Sequence, residues 1–137
     1  MNWGKALLAG VVGGIVVNIY NFVMHGMIMG STYTEYAAFA QEEASPVWFF
    51  VVSIFIGIAG ALLFAKSRGS WGDGVKGGVT FGLFIGLVSF FAQFYSPLVI
   101  NDFPYFLSWC WGGISLIGWL IFGAIAGVMY KEPAAAA

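Results

Sequence analysis

The chain has 137 residues, of which 61% are hydrophobic and only 8% are charged, whereas roughly 25% of the residues in ordinary soluble domains are charged. In water such a chain would expose apolar surface on every side, so its composition excludes a soluble domain and predicts an integral membrane protein. The net charge of −1 is too small to indicate nucleic acid as a partner.

Four apolar segments, at about residues 3–29, 47–65, 75–96 and 105–130, are each long enough to cross a bilayer. About 20 helical residues at 1.5 Å each span its hydrocarbon core. We therefore predict an all-α membrane protein with one four-helix transmembrane bundle over residues 1–133. The tail, residues 134–137, carries no fold information. The first segment is too long for the apolar region of a typical signal peptide, and we expect it to be a retained helix.

One face of the first segment is small near its start and polar near its end. At about 100° per residue, Gly10, Gly14, Asn18, Asn21 and His25 fall within an arc of roughly 80°. The remaining faces carry large apolar side chains. We expect the small and polar face to meet protein and the other faces to meet lipid.

The first connection carries a helix-start signal. Thr32 followed by Glu35 fits a capping box. After it, small and aromatic residues recur at helical spacing: Tyr33, Tyr36, Ala37 and Ala40. Two acidic residues follow, Glu42 and Glu43. The pattern predicts a short helix on the outer membrane surface, with an irregular loop as the alternative.

Small residues also recur at four-residue spacing in the other three segments: Gly57 and Ala61; Gly78, Gly82 and Gly86; Gly123 and Gly127. Lipid tails are as apolar as leucine, so transmembrane helices associate where small residues let their backbones approach. The stripes predict a compact bundle, an oligomer, or both.

The small residues also suggest an internal repeat. A shift of 72 residues along the sequence places Gly10 on Gly82, and a shift of 66 places Gly57 on Gly123, which suggests two repeated helical hairpins.

The basic residues lie at the N-terminus, in the second connection and at the C-terminus: Lys5, Lys66, Arg68, Lys76 and Lys131. With four crossings they share one side of the membrane, which the positive-inside rule assigns to the cytoplasm. We therefore expect a bacterial inner-membrane protein with both termini cytoplasmic. The basic residues of the second connection are expected near anionic headgroups.

A polar cluster is the candidate ligand-binding site. It comprises Asn18, Asn21 and His25 of the first segment with Ser89 and Gln93 of the third. Counted from the basic residues, Ser89 would lie at the depth of Asn18, and Gln93 about level with Asn21. The alternative is that these residues only form hydrogen bonds between helices, each worth about 0.6 kcal/mol.

Catalytic and metal sites are not expected. One histidine and one cysteine, Cys110, cannot assemble the usual three-ligand metal site or an internal disulfide. Haem or chlorophyll needs only one axial imidazole, so His25 remains a candidate ligand for either. Otherwise no cofactor is expected.

The first segment also carries a resemblance. The stretch Ala9–Phe22 (AGVVGGIVVNIYNF), followed by three more apolar segments, resembles small bacterial four-helix membrane proteins of unknown function. The resemblance implies the same four-crossing layout and brings no known activity.

Three functions fit these observations. The first is a non-catalytic accessory subunit that self-associates in the lipid bilayer or joins other membrane subunits, as the small-residue stripes suggest. The second is a small channel or transporter for a neutral solute, with the polar cluster as its site. The third is a subunit that binds a pigment, a quinone or a lipid. Coupled ion transport is disfavoured because no acidic or basic residue lies in the middle of a segment.

Overall fold

The structure is a computed structural model that describes residues 1–39 and 45–131. These residues form no strands, and their α-helices are α1 (Trp3–Asn21), α2 (Gly30–Thr34), α3 (Pro46–Lys66), α4 (Gly74–Ala92), α5 (Ser96–Val99) and α6 (Tyr105–Met129). Four spans are long and apolar enough to cross a membrane: Trp3–Ile28, Pro46–Lys66, Gly74–Val99 and Tyr105–Met129. The predicted all-helical protein with four candidate transmembrane helices is therefore confirmed. The tail, residues 134–137, lies outside the described residues.

The first span changes helix type before it ends. After Asn21 the chain continues as a π-helix over Phe22–Ile28, and the Met29 N–H donates to the carbonyl oxygen of Met24 at 3.0 Å. π-Helical turns are rare and occur frequently at functional sites. This turn holds His25, and it rotates the end of the span relative to a regular α-helix.

The predicted surface helix is wrong in position. Helix α2 starts at Gly30, immediately after the π-helical turn, and ends at Thr34. Thr32 therefore lies inside the helix and cannot cap it, and the predicted capping box does not form. A 3-10 turn follows at Ala37–Phe39. The remaining residues of the predicted helix, Ala40, Glu42 and Glu43, lie outside the described residues.

The four long helices pack in the order α3–α1–α6–α4. Helix α1 packs against α3, α4 packs against α6, and α1 and α6 join the two pairs. The Asn2 backbone N–H donates to the Tyr130 hydroxyl at 3.0 Å, which brings the two ends of the described chain together. We call this end of the bundle, which carries Lys5, Lys66, Lys76 and Lys131, the basic end, and the other the opposite end.

The small-residue stripes lie between helices of this chain. The Gly57 backbone packs against Gly10 and Gly14, and a Cβ added at Gly10 would lie 2.6 Å from the Cα of Ile58. In the second pair, Gly123 packs against Gly78 and Gly82. Such distances leave no room for a side chain, so both helix pairs depend on backbone-to-backbone packing.

The other predicted packing residues are buried in the same interfaces. Gly127 packs against Gly74 and Gly78, Gly86 packs against Leu116, and Ala61 belongs to the core with 2% exposure. All the predicted helix-packing residues are therefore buried within one chain.

Helices α3 and α4 meet through side chains near the basic end. The rings of Phe64 and Phe81 are fully buried, with centroids 5.2 Å apart. Over most of their length the backbones of α3 and α4 pack against α1 and α6 and not closely against each other. The two helices therefore form the side walls of a cleft, with α1 and α6 behind it.

Arg68, in the turn between α3 and α4, is buried against the rest of the chain. Its side chain is only 5% exposed and lies over the Phe64 ring, 5.4 Å from the centroid. It donates to the carbonyl oxygen of Gly72 and pairs with Asp73 at 3.4 Å. Gly72 has φ 77°, a conformation that glycine adopts without cost. The turn aims its carbonyl at the guanidinium, and this holds Arg68 inside the fold.

Candidate ligand-binding cavity

The cleft contains a cavity of about 430 Å³ in the part of the bundle away from the basic end. It is lined by residues from all four long helices and from the turns that extend α1 and α4: Gly14, Val17, Asn21, His25, Ser53, Ile56, Gly57, Ser89, Gln93, Ser115, Gly118, Trp119 and Phe122. Its volume lies within the range of about 300–1,000 Å³ that is usual for small-molecule sites.

The structure brings four of the five predicted site residues together at this cavity. Asn21, His25, Ser89 and Gln93 all line it. Asn18 is not among the lining residues. Its side-chain oxygen accepts a hydrogen bond from the Ser53 hydroxyl at 3.0 Å, so Asn18 links α1 to α3.

The polar and aromatic linings occupy different ends of the cavity. Asn21, His25 and Gln93 come late in spans that run away from the basic end, so they lie at the opposite end. Trp119 and Phe122 come late in α6, which runs towards the basic end. Their rings meet edge to face with centroids 5.3 Å apart. The cavity therefore has a polar outer part and an aromatic floor.

Several polar groups of the lining remain available to a ligand. Among the described residues, no hydrogen-bond partner is found for the side chains of Asn21 and Ser115. The Gln93 amide N–H contacts only the Ser89 carbonyl oxygen, at 3.5 Å. Polar groups in a membrane interior gain stability from a partner. These side chains therefore favour a ligand with hydrogen-bonding groups.

Two residues that the sequence did not point to hold His25 in place. The Trp111 indole N–H donates to the Tyr33 hydroxyl oxygen at 2.8 Å, and that hydroxyl also bonds Nδ1 of His25. Burial raises the pKa of the Tyr33 phenol, so it is a neutral hydroxyl at pH 7. The network ties the segment after α1 to α6 across the opposite end of the bundle.

The spacing of His25, Met29 and Tyr33 was the available sequence signal for part of this network. These residues recur every fourth position, as on one face of a continuous helix. The helical spacing after Thr32 instead predicted that Tyr33 lies on a separate surface helix. Trp111 carried no local signal, because it lies 78 residues from Tyr33 in the chain.

No family model, curated protein or solved structure matches this chain. The resemblance of Ala9–Phe22 to small bacterial four-helix membrane proteins therefore stays a prediction. Within residues 1–39 and 45–131, no three histidine, cysteine or acidic side chains lie close enough to hold a metal ion.

Proposed function

We propose that this chain is a non-catalytic membrane protein that binds a small neutral molecule in the cavity. The observation that carries the proposal is the cavity of about 430 Å³ with a polar outer part and an aromatic floor. Its lining contains no Asp, Glu, Lys or Arg. A charged ligand would lose its hydration there without gaining a counter-charge, so a neutral ligand is favoured.

The position of the cavity favours access from lipid. The backbones of the side walls α3 and α4 are not closely packed against each other, and Ile56, which lines the cavity, is 52% exposed. A molecule dissolved in the bilayer would reach the site between these helices. This supports binding or carriage of a lipid-soluble molecule more strongly than an aqueous channel.

The membrane orientation rests on charge. The basic end carries Lys5, Lys66, Lys76 and Lys131, and the positive-inside rule places such an end in the cytoplasm. Both termini are then cytoplasmic in a bacterial inner membrane, and the cavity lies in the outer half of the bundle.

The hypothesis that the chain is an accessory subunit stays a prediction, and it has less support than ligand binding in the cavity. The glycine stripes suggested an oligomer, but their close contacts are made within one chain. The exposed apolar side chains of the bundle can be covered by lipid as well as by another subunit.

The hairpin duplication stays a prediction, and the glycine contacts do not follow its predicted register. In each pair one glycine of the second helix, Gly57 or Gly123, packs against two glycines of the first. Matching Gly10 with Gly78 gives an offset of 68 (78 − 10), one helical turn less than the predicted shift of 72. Matching Gly57 with Gly123 gives the predicted 66 (123 − 57).

Native mass spectrometry of gently extracted protein tests the proposed function. Wild type should carry a small-molecule mass that is released on activation, and an absorbance spectrum of the same sample would show whether that molecule is a pigment. The Ser115→Phe variant places a ring in the cavity and should lose the bound mass. The Ile117→Phe variant places the same ring on an exposed position of the same helix and should keep it.

Two results would contradict the proposal. One is wild-type protein with no bound small molecule, and the other is equal retention by both variants. Thermal unfolding of the Ser115→Phe variant shows whether a lost ligand reflects a filled cavity or a disrupted bundle.

A further inference from the structure

We infer that the ligand of this cavity presents a hydrogen-bond acceptor oxygen, such as a ketone or quinone carbonyl, to the Nε2–H of His25. Its flat apolar body then lies against Trp119 and Phe122. The inference rests on the proposed function and adds the chemical class of the ligand and its orientation.

The donor character of His25 follows from the partners of the Tyr33 hydroxyl. Trp111 has only an N–H to offer, so the Tyr33 oxygen is the acceptor in that bond. The Tyr33 proton then has two possible acceptors, Nδ1 of His25 and the thioether sulfur of Met29, which lies 3.7 Å away. A thioether is a weak acceptor and an imidazole nitrogen is a good one. The proton therefore goes to Nδ1, and the neutral ring carries its own hydrogen on Nε2.

The free ring nitrogen is the one available to a ligand. His25 lines the cavity, whereas Tyr33, which occupies its Nδ1, does not. An Nε2–H group can only donate, so the group that meets it must be an acceptor. Tyr33 is a positioning residue here, because it fixes the tautomer of His25 and does not touch the ligand.

The aromatic floor determines the other end of the ligand. Trp119, which is only partly buried, offers an apolar ring face, and the buried Phe122 ring packs behind it. Gly118 beside them adds no side-chain bulk. Aromatic rings stack or meet edge to face with such side chains. A flat body with one carbonyl end would satisfy both parts of the cavity.

The opposite tautomer would carry a different chemistry. If Nδ1 held the hydrogen and donated to the Tyr33 oxygen, Nε2 would offer a lone pair. That lone pair could accept a hydrogen bond or ligate the iron of haem or the magnesium of chlorophyll. The two tautomers of His25 therefore differ in which ring nitrogen carries the hydrogen, and this difference can be observed.

NMR of protein labelled with ¹⁵N-histidine in lipid nanodiscs tests the inference directly, because His25 is the single histidine of the chain. At a pH where the ring is neutral, we expect the Nε2–H tautomer in wild type and a mixture of tautomers in the Tyr33→Phe variant. The Tyr36→Phe variant removes a hydroxyl from the same segment without touching the network, and it should match wild type.

Two probes of nearly equal shape then test the ligand class. Acetophenone carries a carbonyl oxygen, and ethylbenzene lacks it. Acetophenone should shift the Nε2 resonance of His25, and ethylbenzene should leave it in place. In the Tyr33→Phe variant the shift by acetophenone should be reduced.

An Nδ1–H tautomer in wild type would overturn the inference. It would also fail if, in uniformly ¹⁵N-labelled protein, both probes perturb the indole N–H resonance of Trp119 while neither shifts Nε2, although the cavity would then still bind a small neutral molecule. Failure of the proposed function itself is recognised separately, by the absence of a retained small molecule in the native mass spectra.

Discussion

Gly123 illustrates how closely the helices approach at single residues. A Cβ added there would meet the backbone of Gly78, with the carbonyl carbon at 2.9 Å and the Cα of Gly82 at 3.1 Å. A backbone carbonyl cannot move aside as a flexible side chain can. Gly113, ten residues earlier in α6, has no atom within 4 Å of the same added position. The two glycines therefore differ only in what surrounds them.

This pair gives a matched prediction. Gly123→Ala should lower the free energy of unfolding by about 1–3 kcal/mol, the usual cost of overpacking. Gly113→Ala should leave the free energy unchanged or raise it by up to about 1 kcal/mol, because glycine is costly inside a helix. Unfolding in mixed detergent micelles measures both. Equal effects of the two substitutions would show that α4 and α6 are not in this close contact.

The helices themselves were largely predictable, and their ends were not. Apolar length identified all four spans, because crossing a bilayer requires about 20 apolar residues whatever the tertiary structure. The π-helical turn at Phe22–Ile28 and the early start of α2 at Gly30 leave no clear sequence signal. Thr32 and Glu35 matched a capping box, but Thr32 lies inside α2 and Glu35 follows its last residue.

Arg68 is another case in which tertiary structure decides the surroundings of a side chain. Basic residues in a short connection normally extend to the headgroups. Here the carbonyl of Gly72, the carboxylate of Asp73 and the ring of Phe64 surround the guanidinium. These partners come together only after the turn has formed, so the sequence could not reveal them.

Arg68→Ala should therefore destabilise the turn between α3 and α4. We expect the free energy of unfolding to fall by about 1.5–3 kcal/mol, the usual value of a hydrogen bond to a charged group. Lys66→Ala, an exposed neighbour, should change it by less than about 0.5 kcal/mol. Thermal unfolding of the two variants makes the comparison. If they unfold alike, the contacts of Arg68 contribute nothing to stability.

At the scale of the whole molecule, the polar cluster was predictable and the cavity was not. Helical periodicity predicted that Asn21 and His25 lie on one face of the first span. Counting residues from the basic end predicted that Ser89 and Gln93 of the third span lie at the level of that face, and Asn21, His25, Ser89 and Gln93 all line the cavity. An empty volume depends on how four helices diverge, and a single sequence does not record this. The contact between Tyr33 and Trp111 likewise joins distant parts of the chain.

A partly polar cavity between the helices of this apolar bundle is the basis of the proposed function, and thiol accessibility tests it most directly. In a Cys110→Ala background, the Ser89→Cys variant places a thiol in the cavity, and the Val88→Cys variant places one at the adjacent, 70% exposed position. The thiolate is the reactive form, and a thiol surrounded by lipid stays protonated.

N-Ethylmaleimide, a neutral reagent, should therefore modify the Ser89→Cys variant in nanodiscs several times faster than the Val88→Cys variant. Acetophenone should slow the reaction at position 89 alone. Equal, slow modification at both positions, with no slowing by acetophenone at position 89, would contradict the cavity and with it the proposed function.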